Sequence, residues 1–353
     1  MRLRNLIDIE DLSLEEWKEL YGLASQIIAH PKDFVDALHG DVMASLFYEP
    51  STRTNFSFQA AMLRLGGSVF GFADPKSSST SKGETIKDTV KMVSGYADVI
   101  VTRSPLEGAA KAMSLYADVP VVNAGDGGHM HPTQTLADLT TIATLRGGIE
   151  NLNVGLCGDL KYGRTVHSLI KALAKFPNIR FYLIAPRDLA IPSYMVDFLK
   201  EKNLPFLEVT NLEATMPQLD VLYMTRIQRE RFTDPLEYDR LKGVYVLTRG
   251  KLKLAKKELL IMHPLPRVDE IAQDVDDDPR AVYFDQARYG MFARMALLMK
   301  LVEQGRQKAA PQIVGDQPLC HNPNCITQSE LYLPPLTKQV GGKTCCGFCD
   351  KEI

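Results

Sequence analysis

The sequence predicts an α/β fold built on parallel sheets with helices on both faces. Three observations predict it. Short apolar runs alternate along the chain with amphipathic stretches of helical period. Several helical stretches stop at glycine, at Gly66-Gly67, Gly147-Gly148 and Gly305, where a left-handed residue closes a helix without steric cost. Polar side chains gather just after the apolar runs, where the ligand crevice of an open parallel sheet lies.

In chain order, a helix is expected over 14–29. The run VMASLF at 42–47 follows as a strand, and the helix over 56–65 ends at Gly66. Strands at 98–101 and 119–122 lead to a helix over 133–146. Strand 154–157 precedes helix 165–175. Strands at 180–184, 221–224, 244–247 and 259–262 then precede a last helix over 286–303. Eight strands in such a body fit one barrel as well as two doubly wound domains, and composition does not choose between them. The body ends near Gly305. Residues 307–318 (QKAAPQIVGDQP) are polar, hold two prolines and read as a linker.

The chain has 353 residues, 45% hydrophobic and 24% charged, enough to bury a large core. Lys plus Arg total 41 against 43 acidic residues, so a net charge of −2 gives no general attraction to nucleic acid or an anionic membrane. No run approaches the roughly 18 apolar residues of a membrane span. The N-terminus meets Asp8, Glu10 and Asp11 instead of a signal-peptide core. A cytoplasmic protein is expected. Five of the six cysteines lie in the last 34 residues. In a chain that needs no disulfide staple, such a cluster points to metal. Cys157, inside an apolar strand, reads as a buried structural thiol.

Arginine dominates the positions after the strands: Arg53, Arg103, Arg164, Arg226 and Arg267. Its planar fork meets phosphate or carboxylate through paired hydrogen bonds. Ser51, Thr52, Arg53 and Thr54 also open a helix, where free N–H groups, the dipole and hydroxyls make an anion cup. The plainer alternative is that Ser51 or Thr52 only caps that helix. His131, before Pro132, offers a hydrogen-bond donor to a carbonyl oxygen, and Gln134 both donates and accepts. Ser77–Ser81 with Lys82 reads as a polar loop or as a lid bringing a lysine to an anion. No nucleophilic triad, glycosidase carboxylate pair or G-x-G-x-x-G pattern is evident. The inventory suits two anionic substrates and charge developing on oxygen, with no cofactor for the chemistry.

Together the motifs FYEPSTRTNFSFQAAMLRLGG (47–67), SKGET (81–85), NAGDGGHMHPTQTLADLTTI (123–142), GDLKYGRTVHSL (158–169), YMTRIQRERF (223–232), MHPLPRVDEI (262–271) and FARMALL (292–298) resemble the aspartate carbamoyltransferase family. The resemblance implies two doubly wound parallel-sheet domains. Residues 1–132, completed by a helix at 289–306, would bind carbamoyl phosphate, and 133–288 would bind L-aspartate. It implies a phosphate cup of Ser51, Thr52, Arg53 and Thr54. Thr54, Arg103 and His131 would polarise the carbamoyl carbonyl. Gln134 and the carbonyls of Leu265 and Pro266 would hold the carbamoyl NH₂. Arg164 would take the aspartate α-carboxylate, and Arg226 and Gln228 the β-carboxylate. Lys82 and Ser78, or a serine beside it, would come from a neighbouring chain of a homotrimer. Glu49 would tie to Arg164 and Arg231 on domain closure. The related ornithine enzymes typically carry His-Cys-Leu-Pro and a tryptophan loop. This chain has His263-Pro264-Leu265-Pro266, and its one tryptophan is Trp17.

The tail pattern is Cys320-x₄-Cys325-x₂₀-Cys346-x₂-Cys349. Two close cysteine pairs separated by about 20 residues can wrap a tetrahedral Zn²⁺. Cys345 is an alternative to Cys346, but the spacing to Cys349 favours Cys346. The tail from 316 has three lysines against four acidic residues, which argues against a nucleic-acid module. CHNPNCI and CCGFCDKEI resemble the zinc domain of the family's separate regulatory chain. The resemblance implies a small structural zinc domain over 319–353 that bridges catalytic chains, between trimers for instance. The nucleotide-binding part of that regulatory chain has no counterpart here, so control by nucleotides through the usual route is not expected.

Overall fold

The computed structural model describes residues 4–74, 82–227, 240, 243–306 and 319–353. Two compact units emerge. The first comprises 1–133 with 291–353, the second 134–290.

In the first unit, four parallel strands lie in the order β2-β1-β3-β4: β1 (Val42–Phe47), β2 (Ser68–Phe72), β3 (Val99–Ser104) and β4 (Val121–Asp126). Helices α1 (Leu14–Ala29), α2 (Thr52–Arg64), α3 (Ile86–Ser94) and α4 (Ala109–Ser114) accompany them. The α1 helix starts with a reciprocal capping box between Ser13 and Glu16, which satisfies two otherwise orphaned N–H groups. Strand β2 is absent from the sequence expectation for a physical reason. It is an edge strand, largely exposed, and so lacks the apolar run of a buried strand.

Helix α5 (Pro132–Arg146) leads into the second unit. There the order is β7-β6-β5-β8-β9, all parallel: β5 (Asn153–Cys157), β6 (Arg180–Ile184), β7 (Phe206–Val209), β8 (Val221–Met224) and β9 (Leu260–Met262). Helices α6 (Arg164–Leu173), α7 (Ser193–Glu201) and α8 (Leu212–Thr215) connect them, and α9 (Tyr283–Val302) returns the chain to the first unit. These two open sheets exclude the barrel. The expected strand at 244–247 does not form; only Leu247 makes an isolated bridge, to Ile271. Its alternate residues Tyr245 and Leu247 are buried as side chains in the second core, so their apolarity serves packing without a ladder. Edge strand β7, half exposed, escapes sequence notice as β2 does.

The tail forms a hairpin of β10 (Thr337–Val340) and β11 (Lys343–Cys346). Gly341 and Gly342 at its tip both have positive φ, +56° and +76°, the backbone that a tight two-residue hairpin turn requires. The tail packs on the first unit of its own chain. Cys325, Ile326, Leu333 and Phe348 share one apolar core with Leu46, Val90, Ile100, Ala112 and Met113. Gly108 (φ +83°) lies so close to Phe348 that a Cβ there would fall 2.6 Å from the Phe348 Cβ. No described helix is long and apolar enough to cross a membrane.

Candidate active site

Each sheet has one point where the strand order reverses, and candidate residues flank both points. In the first unit the reversal lies between β1 and β3. The chain leaving β1 runs through Glu49 into Ser51–Thr54 and α2; Arg103 lies near the end of β3, in register with Phe47. Crossovers leave these adjacent strands on opposite faces of the sheet, so a crevice opens beyond their carboxyl ends. Ser51 is the N-cap of α2, yet its side chain makes no capping hydrogen bond. The plain capping reading of Ser51 is therefore not realised. Thr54 is buried and Arg53 exposed. Burial and, next, the Arg103 charge lower the pKa of Arg53, so two cations face one region, as an anion site requires.

Arg103 donates from Nη1 to the Ala124 carbonyl (3.2 Å), and its Nη2 pairs with Glu49 at 2.9 Å. Glu49, expected to tie to Arg164 and Arg231 on domain closure, here holds Arg103. His131 is buried, just ahead of Pro132 and α5. Lys82 is exposed, four residues before α3. Ser78 lies outside the described residues, as do Gln228, Arg231 and the linker 307–318.

The loop carrying His131 is heavily tied. Asp126, 1% exposed, accepts from Gly108 N (2.8 Å), Met130 N (2.9 Å) and Asn123 Nδ2 (3.1 Å). His129 bridges two carboxylates. Its Nδ1 lies 3.0 Å from Asp126 Oδ2, and its Nε2 lies 3.2 Å from Oδ2 of Asp350 in the tail. Burial opposes its charge, but the two carboxylates outweigh burial and push its pKa up to about 10.

In the second unit the reversal lies between β5 and β8. Arg164 opens α6 after β5, and Arg226 follows β8; both are half-buried. Thr225 ties the two strand ends: its hydroxyl donates to the Cys157 carbonyl (3.1 Å) and accepts from Asp159 N (2.9 Å). Two arginines flanking one crevice suit a ligand with two carboxylates.

A buried network, not expected from the sequence, links Gln134 to Leu265. Gln134 Nε2 donates to Asp138 Oδ1 (2.8 Å), which also accepts from Gln286 Nε2 (2.6 Å). Asp138 Oδ2 accepts from the Tyr223 hydroxyl at 3.0 Å, and burial first, then the Asp138 charge, raise the Tyr223 pKa. Gln286 Oε1 accepts from His263 N (2.9 Å). His263 Nδ1 accepts from Leu265 N (2.7 Å), so its proton sits on Nε2 and is given to Glu270 Oε1 (2.6 Å). Glu270 Oε2 takes Val268 N and Asp269 N, each at 3.1 Å. Leu265 sits at φ +53°, an unfavourable backbone for leucine that these bonds over-determine. With Nε2 of Gln134 committed to Asp138, its Oε1 is left to accept from an NH₂ group. Only the HPLP and DEI letters of the motif hint at this arrangement; the partners Asp138 and Gln286 come together only in space.

In the tail, Cys320, Cys325, Cys346 and Cys349 are buried, and their sulfurs all lie within 4.8 Å of one another. Cys320 and Cys349 are 3.6 Å apart, Cys325 and Cys346 3.9 Å. Tetrahedral zinc with S–Zn near 2.3 Å needs sulfurs about 3.8 Å apart, so the four fit the ion. Neighbouring residues of a strand point to opposite faces, and it is Cys346, not Cys345, that joins the cluster. Phe348 N donates to Cys346 Sγ (3.4 Å) and Thr327 Oγ1 to Cys325 Sγ (3.2 Å), the outer-shell support that a metal site uses.

Residues 4–144 match the model of the aspartate/ornithine carbamoyltransferase carbamoyl-P binding domain, and 150–301 that of the Asp/Orn binding domain. The chain is 57% identical over 299 residues to the aspartate carbamoyltransferase catalytic subunit of Clostridium novyi, covering 85% of this chain and 98% of that protein. Among solved structures it is similar to the catalytic subunit of M. jannaschii aspartate transcarbamoylase (TM-score 0.81, 49% identity, 85% and 98% of the two chains). It is also similar to the Trypanosoma cruzi aspartate transcarbamoylase in complex with carbamoyl phosphate and aspartate (TM-score 0.80, 39% identity, 85% and 97%). The family models end before the cysteine tail.

Proposed function

Because the chain belongs to the aspartate/ornithine carbamoyltransferase family and converts carbamoyl phosphate and aspartate to carbamoyl aspartate in pyrimidine synthesis, we propose that this reaction uses the residues flanking the two sheet reversals. One observation carries the assignment: in each unit the arginines sit at the strand-order reversal, Arg53 and Arg103 in the first, Arg164 and Arg226 in the second.

In this reading residues 1–132, with the helix at 289–306, bind carbamoyl phosphate, and 133–288 bind aspartate. Ser51, Thr52, Arg53 and Thr54 take the phosphate, with Lys82 and Ser78 supplied by a neighbouring chain of a homotrimer. Gln134 Oε1 and the carbonyls of Leu265 and Pro266 accept from the carbamoyl NH₂. Arg164 takes the α-carboxylate, and Arg226 with Gln228 the β-carboxylate; Arg226 would repel the side-chain amine of ornithine. The neutral α-amine attacks the carbonyl carbon, and no covalent enzyme intermediate forms. Negative charge grows on the carbonyl oxygen facing Thr54, Arg103 and His131, and phosphate leaves with the amine proton. Each of these donors is worth about 3–4 kcal/mol of barrier. Glu49, which pairs with Arg103 at 2.9 Å, exchanges that partner for Arg164 and Arg231 when substrates bind. The tail over 319–353 holds a structural Zn²⁺ on Cys320, Cys325, Cys346 and Cys349, and the enzyme works in the cytoplasm. Association of trimers through the tail is a second layer of the proposal, supported by Leu319 and Leu331, which are 70% and 84% exposed.

The test is a carbamoyl-transfer assay on the full zinc-loaded chain with carbamoyl phosphate and either L-aspartate or L-ornithine. Product with aspartate alone is expected. Product with ornithine would remove Arg226 from its assigned role.

A further inference from the structure

Among the described residues, polar contacts tie the tail to the first unit at three places, and each adjoins a candidate catalytic residue. Ile86 N donates to Glu330 Oε1 (3.2 Å) and Lys87 N to the Tyr332 hydroxyl (2.9 Å), shortly after Lys82. Glu107 N donates to the Asn324 carbonyl, the Glu107 carbonyl accepts from Ile326 N (both 2.9 Å), and its carboxylate accepts from Asn322 Nδ2 (2.8 Å), four residues after Arg103. Asp350 pairs with His129, two residues before His131. The last contact is the most constrained. Asp350 is fixed from behind by Lys338 Nζ at 2.7 Å, and His129 is fixed ahead by Asp126 at 3.0 Å. Asp126 in turn holds Met130 N, the amide next to His131.

We propose that Asp350 and His129 are positioning residues for the reaction: through Asp126 they hold the 126–131 loop, so that the tail of a chain sets the place of the His131 imidazole in that same chain. This rests on the reading that His131 polarises the carbamoyl carbonyl. The ring is hydrogen-bonded to one carboxylate and ion-paired with another, which together restrict its orientation, and the loop backbone is bonded to the first of them. Removing the tail carboxylate frees one side of the ring and leaves the other intact. The loop then loosens without unfolding. A loose His131 still allows substrates to bind but meets the developing oxyanion poorly, so the loss falls on kcat.

The test is a double-mutant cycle on the zinc-loaded full chain with Asp350→Asn and His131→Ala, where coupling appears as non-additivity. Asp350→Asn alone should lower kcat about tenfold, the scale of a modest misplacement, with KM for aspartate unchanged. In the His131→Ala background it should change kcat less than about twofold. Hydrogen exchange at 126–131 should rise in Asp350→Asn while zinc content stays the same. Lys343→Ala, which breaks the exposed hairpin pair with Glu352, is the control and should leave kcat alone. Equal losses from Asp350→Asn in both backgrounds, or none in the native one, would overturn the proposal. An unaffected kcat in His131→Ala would overturn the reading of His131 and the proposal with it. His129→Gln repeats the cycle from the other partner if Asp350→Asn does not fold.

Discussion

The two units hold their candidate groups by different means. In the second, Gln134 and Leu265 are joined through Asp138, Gln286 and His263, with Glu270 closing the loop, and every partner belongs to that unit. In the first, the loops beside Lys82, Arg103 and His131 take partners from residues 322–350, more than 200 positions away. The first unit lends its loops to a small module built around the buried four-cysteine cluster. The tail thus reaches the loops of the first unit, whereas the network joining Gln134 to Leu265 is held by residues of the second.

The largest expected effect breaks this contrast from the tail side. Chelating the metal, or Cys349→Ser, should remove on the order of 10 kcal/mol of metal-linked folding free energy. Urea unfolding followed with zinc content should show the first unit weakened and the transition of the second unmoved; a single shifted transition would mean the units are not independent. Next, Arg103→Ala should lower kcat about 10²–10³-fold, as expected for a lost oxyanion donor. Steady-state kinetics would read this, and a change confined to KM would assign Arg103 to ground-state binding alone.

From the other side, Glu270→Ala strands His263 and two backbone N–H groups and should cost the second unit about 3 kcal/mol. Denaturant unfolding would measure it, with bound zinc unchanged if the contrast holds. Read per pH unit, the smallest effect sharpens the link between tail and loop. His129 has its folded pKa raised from 6.5 to about 10, so its stabilisation is complete below pH 6.5 and is lost as pH rises through 10. Over that window, stability of the first unit should fall by about 1.4 kcal/mol per pH unit, and His129→Gln should flatten the slope. Equal slopes in the two proteins would mean the ring is not charged.

Much of this was legible in the residues themselves. Buried central strands announce themselves as VMASLF or NVGLC because both faces are covered. Edge strands β2 and β7 did not, since exposure removes the apolar run. The run at 244–247 misled because burial in a core does not require a ladder. Spacing selected Cys346 over Cys345, and the alternation of strand side chains does the same.

By itself the sequence determined which chemistry is present: arginines after strands, hydroxyls opening a helix, four cysteines in two close pairs. These are local, because a strand end, a helix start and a cysteine pair each lie within a few residues. Tertiary structure alone decided that Asp138 and Gln286 meet behind Gln134, and that the tail docks on its own chain with Asp350 against His129. The physical reason is distance along the chain. Hydrogen bonds and ion pairs between residues a hundred or more apart leave no period or spacing to read, and only the packed core fixes which of them form.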